Sequence, residues 1–191
     1  DTIKFSTGGV ERFAISNSGI SGDGSGLTGI SAGITMHDSW YVNAGFDPGG
    51  STTSITANWQ RGTSSPFGSI GSAMTQSSGV FTFPSTGIYY VGFDAMVAVV
   101  NTGHAESDGN AQIHVDNGNG SGFNSRTGAK FSLHYNNGIR EGSFHCSTLV
   151  DVTSTSDVKV RFHISAVTSE VTTRGNTTTN QTYMTFIRLG D

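Results

Sequence analysis

Six histidines, His37, His104, His114, His134, His145 and His163, are the residues of this chain best suited to metal or proton chemistry. No two of them stand at the His-x-His or His-x-x-x-His spacing that sets paired imidazoles on one face of an element. Oxygen donors gather in the stretch Glu106, Asp108, Asn110 and Asp116, but it lacks the twelve-residue pattern of a calcium loop and reads as a solvated loop. Gly29-Ile-Ser31-Ala-Gly33 spells the Gly-x-Ser-x-Gly nucleophile elbow in letters only. That elbow needs a strand before it and a helix after it, and a Gly/Ser tract supplies neither. Cys146 follows His145, yet neighbours in a strand point to opposite faces, so the two do not form a thiol–imidazole dyad. Cys146 shares the phase of nearby apolar residues and reads as a small core residue. Whether two carboxylates stand at a glycosidase separation depends on the fold. A non-catalytic protein is expected.

The residues around these candidates narrow the class of protein. Of 191 residues, 27 are Gly, only 13% are charged, and the net charge is -4. There is no basic footprint for nucleic acid. No apolar run approaches the roughly 20 residues of a membrane helix, so no membrane insertion is expected. One cysteine excludes an intrachain disulfide framework. Twelve Phe and five Tyr are too many for a disordered chain of this polarity. The chain begins at Asp1 without a signal segment and reads as a piece of a longer polypeptide.

Helical periodicity is not sustained in any window, because Gly, Asn and β-branched residues interrupt it. Strand alternation is frequent, and nine or ten short strands bounded by Gly, Asn, Asp or Pro predict an all-β sandwich or barrel. Ile3 and Phe5 share a face, Gly8-Gly9 marks a turn, and Phe13 and Ile15 continue the pattern on a partner strand. A Ser/Gly-rich connection follows to Gly33, so residues 1–33 read as one unit and 34–191 as another. A lone hairpin buries too little to be stable and needs a neighbour, either a downstream domain or other copies of itself.

In the second unit Tyr89, Val91, Phe93, Ala95 and Val97 share one face of a strand. Val158, Val160, Phe162 and Ile164 form the cleanest alternation. The last strand is read with Tyr183, Thr185, Ile187 and Leu189 toward the core. That phase leaves Met184 and Phe186 outward, as Tyr90 and Met96 are in their strand. A contiguous outward apolar patch marks an interface.

Two stretches resemble known families. Gly79 to Phe93 (Gly-Val-Phe-Thr-Phe-Pro-Ser-Thr-Gly-Ile-Tyr-Tyr-Val-Gly-Phe) is similar to a motif in the globular head of complement component one, subcomponent q. Gly87 and Tyr89 match, while Val91 stands where that family has Phe. Ser147 to Val160 resembles its apolar strand and Gly-Asp-x-Val start, with Ser156 for the Gly. Thr182 to Leu189 resembles its terminal strand. This resemblance spans Ile34 to Asp191 and implies a ten-stranded jelly roll, shared with tumour necrosis factor, that assembles as a homotrimer. It also implies a possible calcium site, since some relatives bind that ion. In a trimer one outward histidine becomes three ligands, and His145 is the best candidate for a shared metal.

Asp1 to Ile30, with Thr-Ile-Lys-Phe, the Gly-Gly turn, Val-Glu-Arg-Phe-Ala-Ile and Gly22-Asp-Gly-Ser-Gly-Leu-Thr-Gly29, resembles the shafts of tailed-bacteriophage fibres, those of marine phages in particular. Together the resemblances imply the C-terminal part of a tail fibre in the virion. A short hairpin stem would lead to a jelly-roll head that binds a host-cell glycan or outer-membrane component, and the missing N-terminal part would join other tail or baseplate proteins. Trimer contacts would come from Ile3, Phe5, Phe13 and Ile15 in the stem and from Tyr90, Met184 and Phe186 in the head. Alternate connections lie at the end of the head far from the stem, so His104, Glu106, Asp108, Arg140, Glu141 and Arg174 are expected to face the receptor. The competing reading is a secreted or surface-displayed ligand or lectin-like module with the same head, for which Gly-x-y repeats would be expected upstream in place of Asp1 to Gly33.

Overall fold

The computed structural model describes residues 2–17, 19–21, 33–49, 51–63, 68–99, 106–134, 138–166 and 170–191. All of its regular elements are strands. The chain divides into two units, Asp1–Gly33 and Ile34–Asp191. The first is a three-stranded antiparallel sheet of β1 (Ile3–Thr7), β2 (Val10–Ser16) and β3 (Gly19–Ser21), one strand more than the predicted hairpin. Gly8 and Gly9 have φ of 60° and 75°, the pair of positive values that a tight type I′ hairpin turn requires.

The second unit is a sandwich of two six-stranded sheets. The first sheet is built from β4 (Met36–Val42), β6 (Trp59–Arg61), β9 (Gly87–Val99), β12 (Arg140–Val152), β14 (Val171–Thr173) and β15 (Tyr183–Gly190). Its order is β12-β9-β15-β4-β6, with β14 also on β9. The second sheet is built from β5 (Thr52–Ser54), β7 (Thr75–Ser77), β8 (Val80–Thr82), β10 (Glu106–Asn117), β11 (Asn124–His134) and β13 (Val158–Ala166). Its order is β11-β10-β13-β8-β7, with β5 also on β13. All pairings are antiparallel; β7–β8 and β10–β11 pair as sequence neighbours, and the chain otherwise crosses repeatedly between the two sheets, as in a jelly roll.

Alternation explains the core. Tyr89, Val91, Phe93, Ala95 and Val97 of β9 are fully buried, as are Val160, Phe162 and Ile164 of β13. Between the sheets Phe81 meets Phe162 edge-on at 5.5 Å and Phe186 at 5.5 Å, while Phe93 meets Phe162 at 5.0 Å. Such pairs add about 0.5–1.5 kcal/mol each beyond the area they bury.

Three expectations are corrected. The last strand has the opposite phase: Met184 and Phe186 are fully buried. In β15, Met184 pairs with Phe93 and Phe186 with Val91, and directly opposed residues share a face, so both join the core of β9. Tyr183, Thr185 and Ile187 pair with Asp94, Gly92 and Tyr90 and point outward. Second, the stretch from Glu106 to Asp116 is not a loop but lies in β10, paired on both sides by β11 and β13. Asp108 and Asp116 are then about 26 Å apart at 3.3 Å per strand residue, too far to share a calcium ion. Third, Ser54 to Arg61 is two strands in different sheets, broken at Asn58 with φ 65°. Together with β7 and β14 this gives twelve described strands in the head where ten were expected.

Candidate self-association face and far end of the head

The outer face of the first sheet carries the candidate interface. Register aligns its side chains into rows across four strands. Leu149 pairs with Tyr90, Tyr90 with Ile187, and Ile187 with His37. The next row but one is His145, Asp94, Tyr183 and Tyr41. Leu149 is 62% exposed, and Tyr90, Met96, Tyr183 and Ile187 are half-buried. Gly92 lies between the two rows, and a Cβ there would stand 3.1 Å from the Tyr90 hydroxyl and ring. The missing side chain lets Tyr90 lie down across the sheet toward His145, whose Nε2 is 3.4 Å from the Tyr90 oxygen. His145 Nδ1 meets Asp94 Oδ1 at 3.1 Å. Burial and the neighbouring Asp94 carboxylate raise the Tyr183 phenol above its usual range.

This face is apolar along one row and hydrogen-bonded along another. Burying each large apolar side chain on it yields about 1.5–3 kcal/mol before ordering and rigid-body entropy are subtracted. Of the interface residues expected in the head, Tyr90 stands on this face, whereas Met184 and Phe186 lie beneath it. Leu149, Ile187 and Tyr183 take their place. Sequence reasoning missed these because the phase of β15 was inverted and the residues sharing Leu149's face, Ser147 and Asp151, are polar.

In the first unit Ile3 is 60% exposed, Phe5 54% and Ile15 41%. The register joins Ile3 to Ile15 and Ile15 to Ile20, with Phe5 opposite Phe13, so one face of the small sheet carries these positions together. The side chains of Phe13 and Ile20 lie outside the described residues.

The far end of the head, opposite the start of β4, is where β9 ends and β10, β12 and β15 begin. Arg140 and Val171 both pair with Val99, and Glu106 pairs with His134. The expected receptor-facing positions Glu106, Asp108, Arg140, Glu141 and Arg174 therefore gather at one end. His104 lies outside the described residues. Arg174 Nε donates to Glu141 Oε1 at 2.8 Å, so these two charges neutralise each other. The segment after β14 is tied down by backbone bonds: Arg174 to Met96 at 2.8 Å and Asn176 to Val42 at 3.0 Å. A loop that sequence reasoning had not placed here, carrying Phe46, bonds Thr173 in both directions at 2.7 and 3.0 Å.

Among the described residues no group of three or more His, Cys, Asp or Glu could hold a metal ion. His145 is exposed, but each chain offers one imidazole. Gly29 to Ala32 of the elbow-like sequence lie outside the described residues. Cys146 is buried, its thiol pushed up to about 11 by burial, and it points away from the face that His145 occupies.

No protein-family model matches the chain, and no curated protein matches it. Solved structures do. Eiger, the tumour necrosis factor from S. frugiperda, superposes with TM-score 0.55 at 12% identity over 83% of this chain and 94% of its own. Murine APRIL at pH 5.0 gives 0.55 at 11% identity over 81% and 98%. At such identities the likeness is one of fold: the chain carries a jelly roll of the kind found in tumour necrosis factor.

Proposed function

We propose that this chain is the C-terminal part of a bacteriophage tail fibre, a non-catalytic virion protein whose head forms a homotrimer and binds a host-cell surface receptor. The observation that carries the reading is a pair of exposed apolar faces, one on each unit. One is the Leu149–Tyr90–Ile187 row of the head, and the other is the Ile3–Phe5–Ile15 face of the small sheet. A sheet of three short strands with its apolar face in water is marginal alone, and in each unit association with other copies of the chain removes the exposed face. The Gly-Asp-Gly-Ser-Gly-Leu-Thr sequence from Gly22 to Thr28 favours a fibre shaft over a collagen-like stalk. Trimerisation would present three far ends side by side, so weak sites would act together.

The purified chain is expected to scatter light as three times its mass of 20.0 kDa. Replacing Leu149 and Ile187 together by Glu should release folded 20.0 kDa monomers with an unchanged far-ultraviolet circular dichroism spectrum. Wild-type protein of monomer mass at micromolar concentration would sink the assembly. The host-binding part is tested by competition: saturating purified head should block phage adsorption, and undiminished adsorption would refute receptor binding.

A further inference from the structure

The outer face of the second sheet holds a hollow of about 480 Å³ near the far end of the head. Its walls are Asp108, Lys130 and Ser132, with Gly109 and Phe131 between them. Asp108 stands opposite Ser132 and Asn110 opposite Lys130 on adjoining strands. Alternation puts all four side chains on the outer face. Asp108, Lys130 and Ser132 are exposed. No described side chain forms an ion pair with Asp108 or Lys130. The Asn110 amide oxygen is buried without a hydrogen-bond partner.

Two glycines shape the place. A Cβ at Gly128 would fall 2.6 Å from the Asn110 oxygen, so its absence lets that amide lie flat on β11. A Cβ at Gly109 would fall on the Phe131 ring and the Ser165 carbonyl, so its absence lets Phe131 tuck beneath the floor. Glycine inside a strand weakens it and is found where a ligand or another group approaches the backbone closely.

The chemistry of the hollow selects its ligand class. One carboxylate and one ammonium sum to zero charge, which favours neither a polyanion nor a cation. The Asp108 carboxylate can accept two hydroxyl protons, and the Lys130 ammonium and the Ser132 hydroxyl can donate. Vicinal hydroxyls and a ring oxygen complement that set. Phe131 is only 3% exposed and offers no stacking platform, so a single site would be weak and would depend on three copies for avidity. We propose that this hollow binds a neutral saccharide unit of a cell-surface glycan. The proposal rests on the trimeric receptor-binding reading, and names the ligand class and the place.

The test uses the trimeric chain on a printed array of neutral bacterial surface oligosaccharides, followed by titration with the strongest binder and by cell adsorption. Asp108→Ala and Lys130→Ala are each expected to reduce binding at least tenfold with little change in melting temperature. Lys159→Ala, toward the other end of the same sheet, should leave binding within twofold. Unchanged binding in both Asp108→Ala and Lys130→Ala places the site elsewhere and overturns the inference. Absence of neutral-glycan binding with cell adsorption intact also overturns it, while leaving the receptor-binding head standing and pointing to a protein receptor. Absence of both glycan binding and adsorption overturns the two together.

Discussion

Asp38→Ala is expected to destabilise the head by about 3–5 kcal/mol, the range for removing one partner from a buried ion pair. Asp38 is fully buried in β4, on the core side of the first sheet. Its Oδ1 accepts from Arg61 Nε at 2.7 Å and from the Ser39 amide at 3.1 Å. Its Oδ2 accepts from the Trp40 indole at 3.1 Å and the Met74 amide at 2.9 Å. One carboxylate thus joins β4, β6 and the segment leading into β7. Alanine would orphan the Met74 amide, which has no water to turn to, and would leave the Arg61 charge uncompensated. At about 2–4 °C per kcal/mol for a domain of this size, melting should fall by on the order of 10 °C. Arg61→Ala should cost less, because Asp38 keeps three donors and Arg61 is partly exposed. The double variant should then be less unstable than the sum of the singles. Because assembly is linked to folding, all variants must be compared at one protein concentration. A loss below about 1 kcal/mol for Asp38→Ala would show that the network does not hold these elements.

Asp38 also shows where sequence reasoning stops. A carboxylate in a stretch reading Met-His-Asp-Ser-Trp-Tyr-Val has no local mark of being buried, because its partners Arg61 and Met74 arrive from other elements. The strands that were legible are those whose alternation is unambiguous. In β13, Val158, Val160, Phe162 and Ile164 face Lys159, Arg161, His163 and Ser165. Only one phase buries them. In β15 both phases are apolar, and which one is inside follows from pairing with β9, a contact that no local pattern encodes. Glu106 to Asn110 has poor strand propensity in every residue, yet pairs with β11 and β13, so tertiary pairing overrides propensity. The same limit applies to the candidate site. Tyr90 could be named from its own strand, whereas Leu149 and Ile187 become its neighbours only through register.

A second long-range cluster makes the head acid-sensitive. His114 and His163 stack on the outer face of the second sheet with ring centres 3.7 Å apart and planes 12° from parallel. His163 is 5% exposed, and its Nε2 meets the Ser54 hydroxyl at 2.9 Å. His114 Nε2 meets Gln112 Oε1 at 3.0 Å. Neither Nδ1 has a hydrogen-bond partner. Burial first, then the His114 ring and the Arg161 guanidinium, lower His163 to about 3. Burial and Arg161 lower His114 as well. The charged residues of the packed strands are Lys159 and Arg161 from β13, Glu106, Asp108 and Asp116 from β10, and Arg126 and Lys130 from β11, while β5 contributes only the uncharged Ser54 beside His163. Both histidines are therefore neutral in the fold, whereas the unfolded chain takes up protons near pH 6.5. The sign follows: the unfolded state binds more protons below pH 6.5, so stability is complete above that value and is lost as pH falls toward 3. Each unit of pH in that window costs up to about 1.4 kcal/mol per histidine, giving a loss of about 2–3 kcal/mol from His163 alone between pH 6.5 and 4.5. Hydrogen bonds from Ser154 and Ser156 lower the Asp157 carboxyl, so its contribution is also lost as pH falls, equally in wild type and variant. Urea unfolding at a series of pH values should show the loss in wild type. His163→Gln, which keeps a partner for Ser54, should flatten the curve across the same range. Parallel curves for the two proteins would show that the stacked pair does not set the acid limit of the head.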